Sequence, residues 1–249
     1  MEIKGITPYF IGLLEGDGSI QVNHWKKKYL QFRIIIKLKY TEKNYHLCAL
    51  INNQHNGFMN LHIRHGFVIL VQDDQSKLRH IMKIIESYGL LKPKMKQDYE
   101  FFHYCYHTKP TISEYSLLKQ NKHLVPVKLV KTNLLKLPSY SIQQMLELDW
   151  INWWIVGFIE AEGCFSIRKT GKMSFSIGQK TDYIIIELIK KFFSMPNRIQ
   201  VKPNEMYVIE GSHRIMLANI INFIEKHPLR GEKLNDYKQF KDNFYKPKT

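Results

Sequence analysis

Between positions 20 and 39 apolar and polar side chains alternate. Ile20, Val22, Leu30, Phe32, Ile34, Ile36 and Leu38 take even positions, while Gln21, Asn23, Gln31, Arg33, Lys37 and Lys39 take odd ones. A period of two belongs to a strand with opposite faces. Residues 19–40 are therefore predicted as a β-hairpin, with Lys26-Lys27-Lys28 at or near its turn. A second hairpin is predicted over 57–72, turning near His65-Gly66, where Asn60, His62 and Arg64 alternate with Leu61 and Ile63. Helical spacing fills the gaps. Leu47, Leu50 and Ile51 form the stripe of a helix over 42–54. Leu78, Ile81, Met82, Ile84 and Ile85 form that of a helix over 74–88, closed by Gly89. Leu91 to Tyr99 lead into another helix ending near His107.

Residues 109–150 break this rhythm. Pro110, Pro126 and Pro138 punctuate them, and they read as a linker with local helix near 113–120 and 141–148. Ser141 and Gln144 have capping-box spacing. The division predicted is a first domain over 1–110, a linker over 111–150 and a second domain over 151–249. In the second, a hairpin over 164–179 places Phe165, Ile167, Phe175 and Ile177 inside and Ser166, Arg168, Ser174 and Ser176 outside. A helix over 182–193, a hairpin over 198–210 turning at Pro203-Asn204, and a helix over 212–226 follow. Residues 229–237 then echo 91–99, down to a shared Asp-Tyr.

The two halves open on matching nonapeptides. Phe10-Ile11-Gly12-Leu13-Leu14-Glu15-Gly16-Asp17-Gly18 corresponds to Ile155-Val156-Gly157-Phe158-Ile159-Glu160-Ala161-Glu162-Gly163 (157 − 12 and 162 − 17 both give 145). Each reads as an apolar helix ending in acid, with Thr7 as N-cap and Pro8 in the first turn of the first copy and Asn152 in Thr7's place in the second. Gly12 and Gly16, like Gly157 and Ala161, lie four apart on one face, where small residues let two helix backbones approach. If the helices pack through those faces, Asp17 and Glu162 meet. The helix dipole disfavours an anion at a C-terminus, and two adjacent carboxylates do not both stay ionised unaided. A divalent cation with a taste for oxygen ligands, such as Mg²⁺, relieves both problems.

On these motifs the chain resembles single-chain LAGLIDADG homing endonucleases encoded in organellar group I introns, over most of its length. The resemblance implies an α+β fold of two pseudo-two-fold-related αββαββα domains whose antiparallel sheets form a DNA-binding saddle. It implies metal-dependent hydrolysis of both strands of a long DNA target, a staggered cut across the minor groove and 3′ overhangs, by a monomer. Its metal set falls on Asp17 and Glu162 with Gly16 and Ala161. Mg²⁺ is the expected ion, with Mn²⁺ substituting and Ca²⁺ binding without supporting cleavage. Gln179 matches the family's water-ordering glutamine; Tyr40 takes the equivalent place in the first half, a departure that predicts unequal cutting of the two strands. Lys233 matches the family's active-site lysine. Its counterpart falls on Met95, and of the flanking Lys94 and Lys96 we favour Lys94. Glu15 and Glu160 read as helix-end or packing partners.

Charge strengthens this picture. Lys and Arg number 37 against 22 Asp and Glu, giving +15, a pI near 9.6 and an expectation of a polyanionic partner. A solvated sheet face is the plainer reading of the odd positions in 19–40. The net charge favours contact of Gln21, Asn23, Lys27, Gln31, Arg33, Lys37 and Lys39 with DNA, joined by Asn60, His62 and Arg64, then Ser166, Arg168, Ser174 and Ser176. Amides and Arg read base edges and Lys meets phosphate. No apolar run approaches the length of a membrane span, and the N-terminus is unlike a signal or transit peptide. Cys48, Cys105 and Cys164 are too scattered for a disulfide framework. His103 and His107 flank Cys105 at helical spacing, but no second ligand pair completes a zinc site, and packing is the expected role. Richness in Ile, Lys and Asn points to an AT-rich organellar genome, mitochondrial in the first instance. Group I intron RNA, bound in a maturase role with or without DNA cleavage, is the alternative partner. A DNA-binding regulator on a retired endonuclease scaffold is a third reading, which both intact acids disfavour.

Overall fold

The computed structural model describes residues 4–26, 28–122, 125 and 137–246. Its centre is a pair of helices, α1 (Ile6–Asp17) and α7 (Ile151–Glu162), packed directly on each other. Both are apolar nearly all round, as suits helices enclosed by protein. Glycine makes the close approach possible. A Cβ on Gly12 would lie 2.1 Å from the backbone oxygen of Trp154, and one on Gly157 would lie 2.1 Å from that of Tyr9. Gly16 faces Ala161 in the same seam, with 2.2 Å between the methyl carbon it lacks and the Ala161 Cβ.

Each helix leads into the same sequence of elements. After α1 come β1 (Gly18–Trp25), β2 (Tyr29–Lys39), α2 (Glu42–Gln54), β3 (Asn60–Arg64), β4 (Phe67–Gln72), α3 (Gln75–Tyr88) and α4 (Pro93–Thr108). After α7 come β5 (Gly163–Ile167), β6 (Met173–Lys180), α8 (Tyr183–Phe192), β7 (Gln200–Lys202), β8 (Met206–Gly211), α9 (Arg214–Lys226) and α10 (Lys233–Tyr245). The two four-stranded antiparallel sheets have matching orders, β1-β2-β4-β3 and β5-β6-β8-β7. A fourth helix thus extends each αββαββα unit. Between the halves lie α5 (Ile112–Gln120) and α6 (Ile142–Leu146), each started by a capping box, at Thr111/Glu114 and at Ser141/Gln144. This segment also packs: Tyr115 is buried and donates from its hydroxyl to the Val22 carbonyl at 2.7 Å. Pro126 lies outside the described residues.

Alternation holds along the first hairpin, with Leu30 half-buried near the turn, but lapses in β3, where Ile63 is 55% exposed at the sheet's edge. Ile20, Val22, Phe32, Ile34, Ile36 and Leu38 are buried, and the odd positions between them are half-buried or exposed. Four further expectations need correction. The motif helix begins at Ile6, because Gly5 in the left-handed region (φ 76°) occupies the N-cap; Thr7 lies inside and its Oγ1 approaches His55 Nε2 at 3.3 Å. In the second copy Trp150, not Asn152, holds the cap position. Ile167 is 41% exposed, since it closes a five-residue strand beside the turn and borders an open cleft with Met173, Leu217 and Phe244. Ser174, expected to face outward, is buried; it pairs with Ser166, and the longer Arg168 and Glu210 share its face.

Candidate active site

Asp17 and Glu162 are the last residues of α1 and α7, and the next residue in each case opens a strand. The packed helices bring them together. Glu162 Cγ lies 3.4 Å from the point a Gly16 Cβ would occupy, and the Asp17 charge raises the Glu162 carboxyl. Asp17 is open to solvent on one side, but surrounding protein on the others lifts its carboxyl to about 6, against the pull of Lys233 and Lys92 and with the push of Glu160. Burial lifts Glu162 to about 7, with Asp17 the next cause and Lys92 and Lys233 opposing. Neither carboxylate has a hydrogen bond or an ion pair with a described residue.

Beneath these acids lies a second pair that sequence reasoning had treated as packing. Glu15 is fully buried, and its carboxylate accepts from Trp154 Nε1 and from the Lys92 backbone N–H, both at 2.5 Å. Burial lifts it to about 7. Glu160 accepts from the Tyr9 hydroxyl at 2.8 Å, from the backbone N–H groups of Arg230 and Gly231 at 3.0 Å, and from that of Lys233 at 3.1 Å. Trp154 stands 145 positions after Tyr9, as Glu160 does after Glu15. The network therefore obeys the pseudo-dyad: each acid holds an aromatic donor of the other half and the backbone leading into its own last helix. Asn44 and Asp182 add a second dyad-related tie, accepting from the backbone N–H of Glu232 at 2.9 Å and of Lys94 at 3.0 Å. The signal for this network was an acid two positions before Asp17 and Glu162 in both copies, with a ring eight positions before each of them.

Lys233 stands beside Asp17 in a cleft of about 230 Å³ that also contains Lys37, Lys39 and Asn44. Lys94 is placed otherwise than expected: its Nζ bonds Asp98 Oδ1 at 2.8 Å on an exposed helix face. Lys96 Nζ turns to the Pro138 carbonyl at 3.0 Å and to Ser139. The first-half lysine whose charge reaches Asp17 and Glu162 is Lys92, with its Nζ 3.0 Å from the Glu15 backbone oxygen. Alignment on Asp-Tyr could not select it, because that alignment sets Lys92 opposite Arg230. Gln179 is also re-registered. Gly18 pairs with Ile36 and Gly163 with Ile177, so Gln179 corresponds to Leu38 and not to Tyr40. It shares the inward register of Phe175 and Ile177, its Oε1 accepts from the Lys180 N–H at 3.1 Å, and its buried Nε2 has no partner among the described residues.

The first sheet carries most of the expected polar face. Gln21 pairs with Arg33 and Asn23 with Gln31; farther along, Lys37–Ile69–His62 and Lys39–Phe67–Arg64 form cross-strand rows. Gln21 donates to Ser19 at 2.8 Å, and Arg33 lies 3.9 Å from Asp73. Asn60 pairs with Val71 at the start of β3, half-buried. Lys27 lies outside the described residues. The second sheet is less basic: Arg168 pairs with Glu210 at 3.3 Å, and Ser166 and Ser176 are half-buried.

The donor set suits a hard divalent ion. Among the described residues no group of three His, Cys, Asp or Glu is arranged around a metal. Mg²⁺, however, commonly uses one or two carboxylates and fills its other positions with water and substrate phosphate. Two proximal carboxylates with raised pKa and no other partner fit that habit. One consequence concerns stability. Without a cation, Glu162 holds its proton in the folded chain up to about 7, while the unfolded chain releases it near 4.5. The unfolded state then binds fewer protons, so this group lowers stability as pH rises through that window. The Tm of Glu162→Gln relative to wild type, in metal-free buffer, is expected to rise between about pH 4 and 7 and then level off; a difference independent of pH would contradict the assignment.

Two dyad-related α+β halves, each giving one acid to a common seam and one sheet to a polar face, define a protein of duplicated-motif architecture with a single composite centre. The chain belongs to the LAGLIDADG family: the model of the LAGLIDADG endonuclease matches residues 10–106 and 155–244. It is 34% identical over 248 residues to the probable intron-encoded endonuclease aI3 of Dictyostelium citrinum, covering 98% of this chain and 97% of that one. A probable aI3 endonuclease of Debaryomyces hansenii is 32% identical over 94% of this chain, which spans 37% of that longer protein. Among solved structures, the I-LtrWI LAGLIDADG homing endonuclease bound to target DNA matches with a TM-score of 0.70 at 23% identity, covering 97% of this chain and 90% of that one. I-SmaMI, bound to an uncleaved DNA target in the presence of calcium ions, matches at 0.71 and 15% over 95% and 89%.

Proposed function

We propose that this chain is a site-specific double-strand DNA endonuclease of the homing type, acting as a monomer and depending on a divalent metal. The observation that carries the reading is the meeting of Asp17 and Glu162 at the seam of two helices, directly at the roots of two sheets, the first of which turns amides and cations outward. Asp17 and Glu162 would hold Mg²⁺, with the backbone of Gly16 and Ala161 beside them, and Mn²⁺ would serve in its place. The ion supplies charge relief at phosphate oxygens and lowers the pKa of bound water. The protein's own residues do the rest. Lys233 and Lys92 bring positive charge to the phosphates on either side of the seam. Gln21, Asn23, Gln31 and Arg33 read base edges, while Lys37, Lys39 and Arg64 meet the backbone. Gln179 is the water-ordering glutamine that the family resemblance implies, and its buried amide nitrogen has no partner among the described residues. Each acid serves one strand, and the cut is staggered across the minor groove to leave 3′ overhangs. Synthesis inside an organelle, the mitochondrion first, accords with the intron-encoded relatives.

The deciding experiment incubates the protein and Mg²⁺ with duplexes spanning a candidate intron-insertion junction and maps the ends. Paired, staggered breaks at one site support the reading. Tight, specific binding with no break under Mg²⁺ or Mn²⁺ overturns it in favour of a DNA-binding role. Ca²⁺ is expected to support binding without breaks. Binding should also weaken by about 10³- to 10⁵-fold between 50 and 200 mM salt if some six to ten phosphates are contacted. A flat salt response would remove the role given to the cations.

A further inference from the structure

Glu15 and Glu160 lie away from solvent and touch no reacting atom, yet each is bonded to the backbone that leads to a lysine at the seam. Glu160 Oε1 accepts from the N–H of Lys233 itself, and its Oε2 accepts from Arg230 and Gly231 just before it. Glu15 Oε1 accepts from the N–H of Lys92, whose Nζ returns to the Glu15 carbonyl. The lysines are crossed over the dyad. Lys233, from the second half, lines the cleft of Asp17, from the first, and is the foremost cation acting on it. By the pseudo-dyad that relates Glu15 to Glu160, Lys92, from the first half, comes to the side of Glu162, from the second, with its Nζ 3.0 Å from the Glu15 carbonyl at the seam. Each buried glutamate is also pinned from across the seam, Glu160 by Tyr9 and Glu15 by Trp154.

We propose that Glu160 and Glu15 are positioning residues, each setting one lysine against the motif acid of the opposite half, so that each controls the cutting of one DNA strand. The inference rests on the endonuclease reading above. A carboxylate is needed because several N–H donors converge on it. Glu160 receives four hydrogen bonds and offers only acceptor sites, whereas an amide in its place would turn an NH₂ group on one of those donors. The cost would fall on the 230–233 backbone, leaving the Asp17 and Glu162 side chains in place. Gly231 supplies an independent handle. A Cβ there would lie 2.6 Å from Glu160 Oε1 and 2.7 Å from Asn44 Oδ1, so Gly231→Ala pushes on the same contact without changing any charge.

The test measures nicking of each strand of a linear duplex target, labelled on one strand at a time, under Mg²⁺. Lys233→Ala and Lys92→Ala first define which strand depends on which lysine. Glu160→Gln and Gly231→Ala are expected to slow the Lys233-dependent strand at least tenfold more than the other, and Glu15→Gln to slow the Lys92-dependent strand by the same margin. Glu160→Gln added to Lys233→Ala should change nothing further. Tyr9→Phe removes one hydrogen bond to Glu160 and the longer one from the Arg230 N–H, but leaves the Glu160 bonds of Arg230, Gly231 and Lys233 in place; it should lower Tm while shifting the strand balance far less than Glu160→Gln does. Equal slowing of both strands by Glu160→Gln and Gly231→Ala, or no slowing, overturns the proposal. If Glu160→Gln does not fold, Gly231→Ala alone decides in the same way. A wild-type protein that cuts neither strand defeats the endonuclease reading, a result separate from any change in strand balance.

Discussion

Asp17→Asn and Glu162→Gln are each expected to abolish double-strand cleavage, with a loss on the order of 10³-fold or more, while affinity for the target stays within a few fold of wild type. The two effects separate because they arise in different places. Affinity is spread over polar positions on two four-stranded sheets, from Gln21 to Lys39 and Asn60 to Arg64 in the first and around Ser166 and Arg168 in the second. On the proposed reading chemistry converges on one seam, where neither acid has a hydrogen bond or ion pair with another described residue. Removing a negative charge near incoming phosphates also relieves repulsion, so binding has no reason to suffer. The fold should not suffer either, since burial holds both carboxyls above their ordinary values, with Glu160 adding to this at Asp17 and Asp17 at Glu162, and the neutral side chains escape that cost. Target cleavage by gel and target affinity by fluorescence anisotropy, on the same preparations, check the claim. Cleavage retained by either variant would remove the acids from the centre; unfolding of both would make them structural.

The same seam explains what the sequence could and could not convey. The motif helices, both hairpins of the first half and the linker's second capping box were legible because each is a local pattern with one physical solution: alternation, small residues four apart, a hydroxyl three residues before an amide. Duplication then fixed the dyad, since two copies at a constant offset must make equivalent contacts. What stayed hidden depends on partners distant in the chain. Lys94 and Lys92 look interchangeable by composition, yet Asp98 one turn along the helix takes the Lys94 ammonium, and Glu15, 77 positions away, turns Lys92 toward the acids. Gln179 falls opposite Tyr40 when the two hairpins are matched by sequence, whereas strand pairing counted from Gly18 and Gly163 sets it against Leu38. Ser174 reads as outward by alternation alone, but longer neighbours on its face cover so small a side chain. Thr7 is a good cap by type, and a left-handed Gly5 pre-empted it.

Gly12→Ala and Gly157→Ala are expected to be the most destabilising single-methyl changes in the chain. In each the new Cβ would fall 2.1 Å from a backbone oxygen of the facing helix, far inside van der Waals contact, and a backbone oxygen cannot rotate away as a side chain can. The helices must separate, and their separation strains the ties across the dyad, among them Tyr9 to Glu160, Trp154 to Glu15, Asn44 to Glu232 and Asp182 to Lys94. Overpacking of this kind costs about 1–3 kcal/mol, and more where such ties are lost with it. At about 2–4 °C per kcal/mol for a chain of this size, Tm should fall by roughly 5–10 °C. Gly16→Ala meets the Ala161 methyl and not backbone, so pairing it with Ala161→Gly should restore most of what the single change loses. No such rescue exists for Gly12 or Gly157, whose obstacles are main-chain atoms. Cleavage should fall faster than stability, because a shift of under 1 Å between the helices moves Asp17 relative to Glu162 before either half unfolds. Thermal melts of the four variants order these effects; Gly12→Ala as stable as wild type would mean that the helices do not meet where the structure puts them.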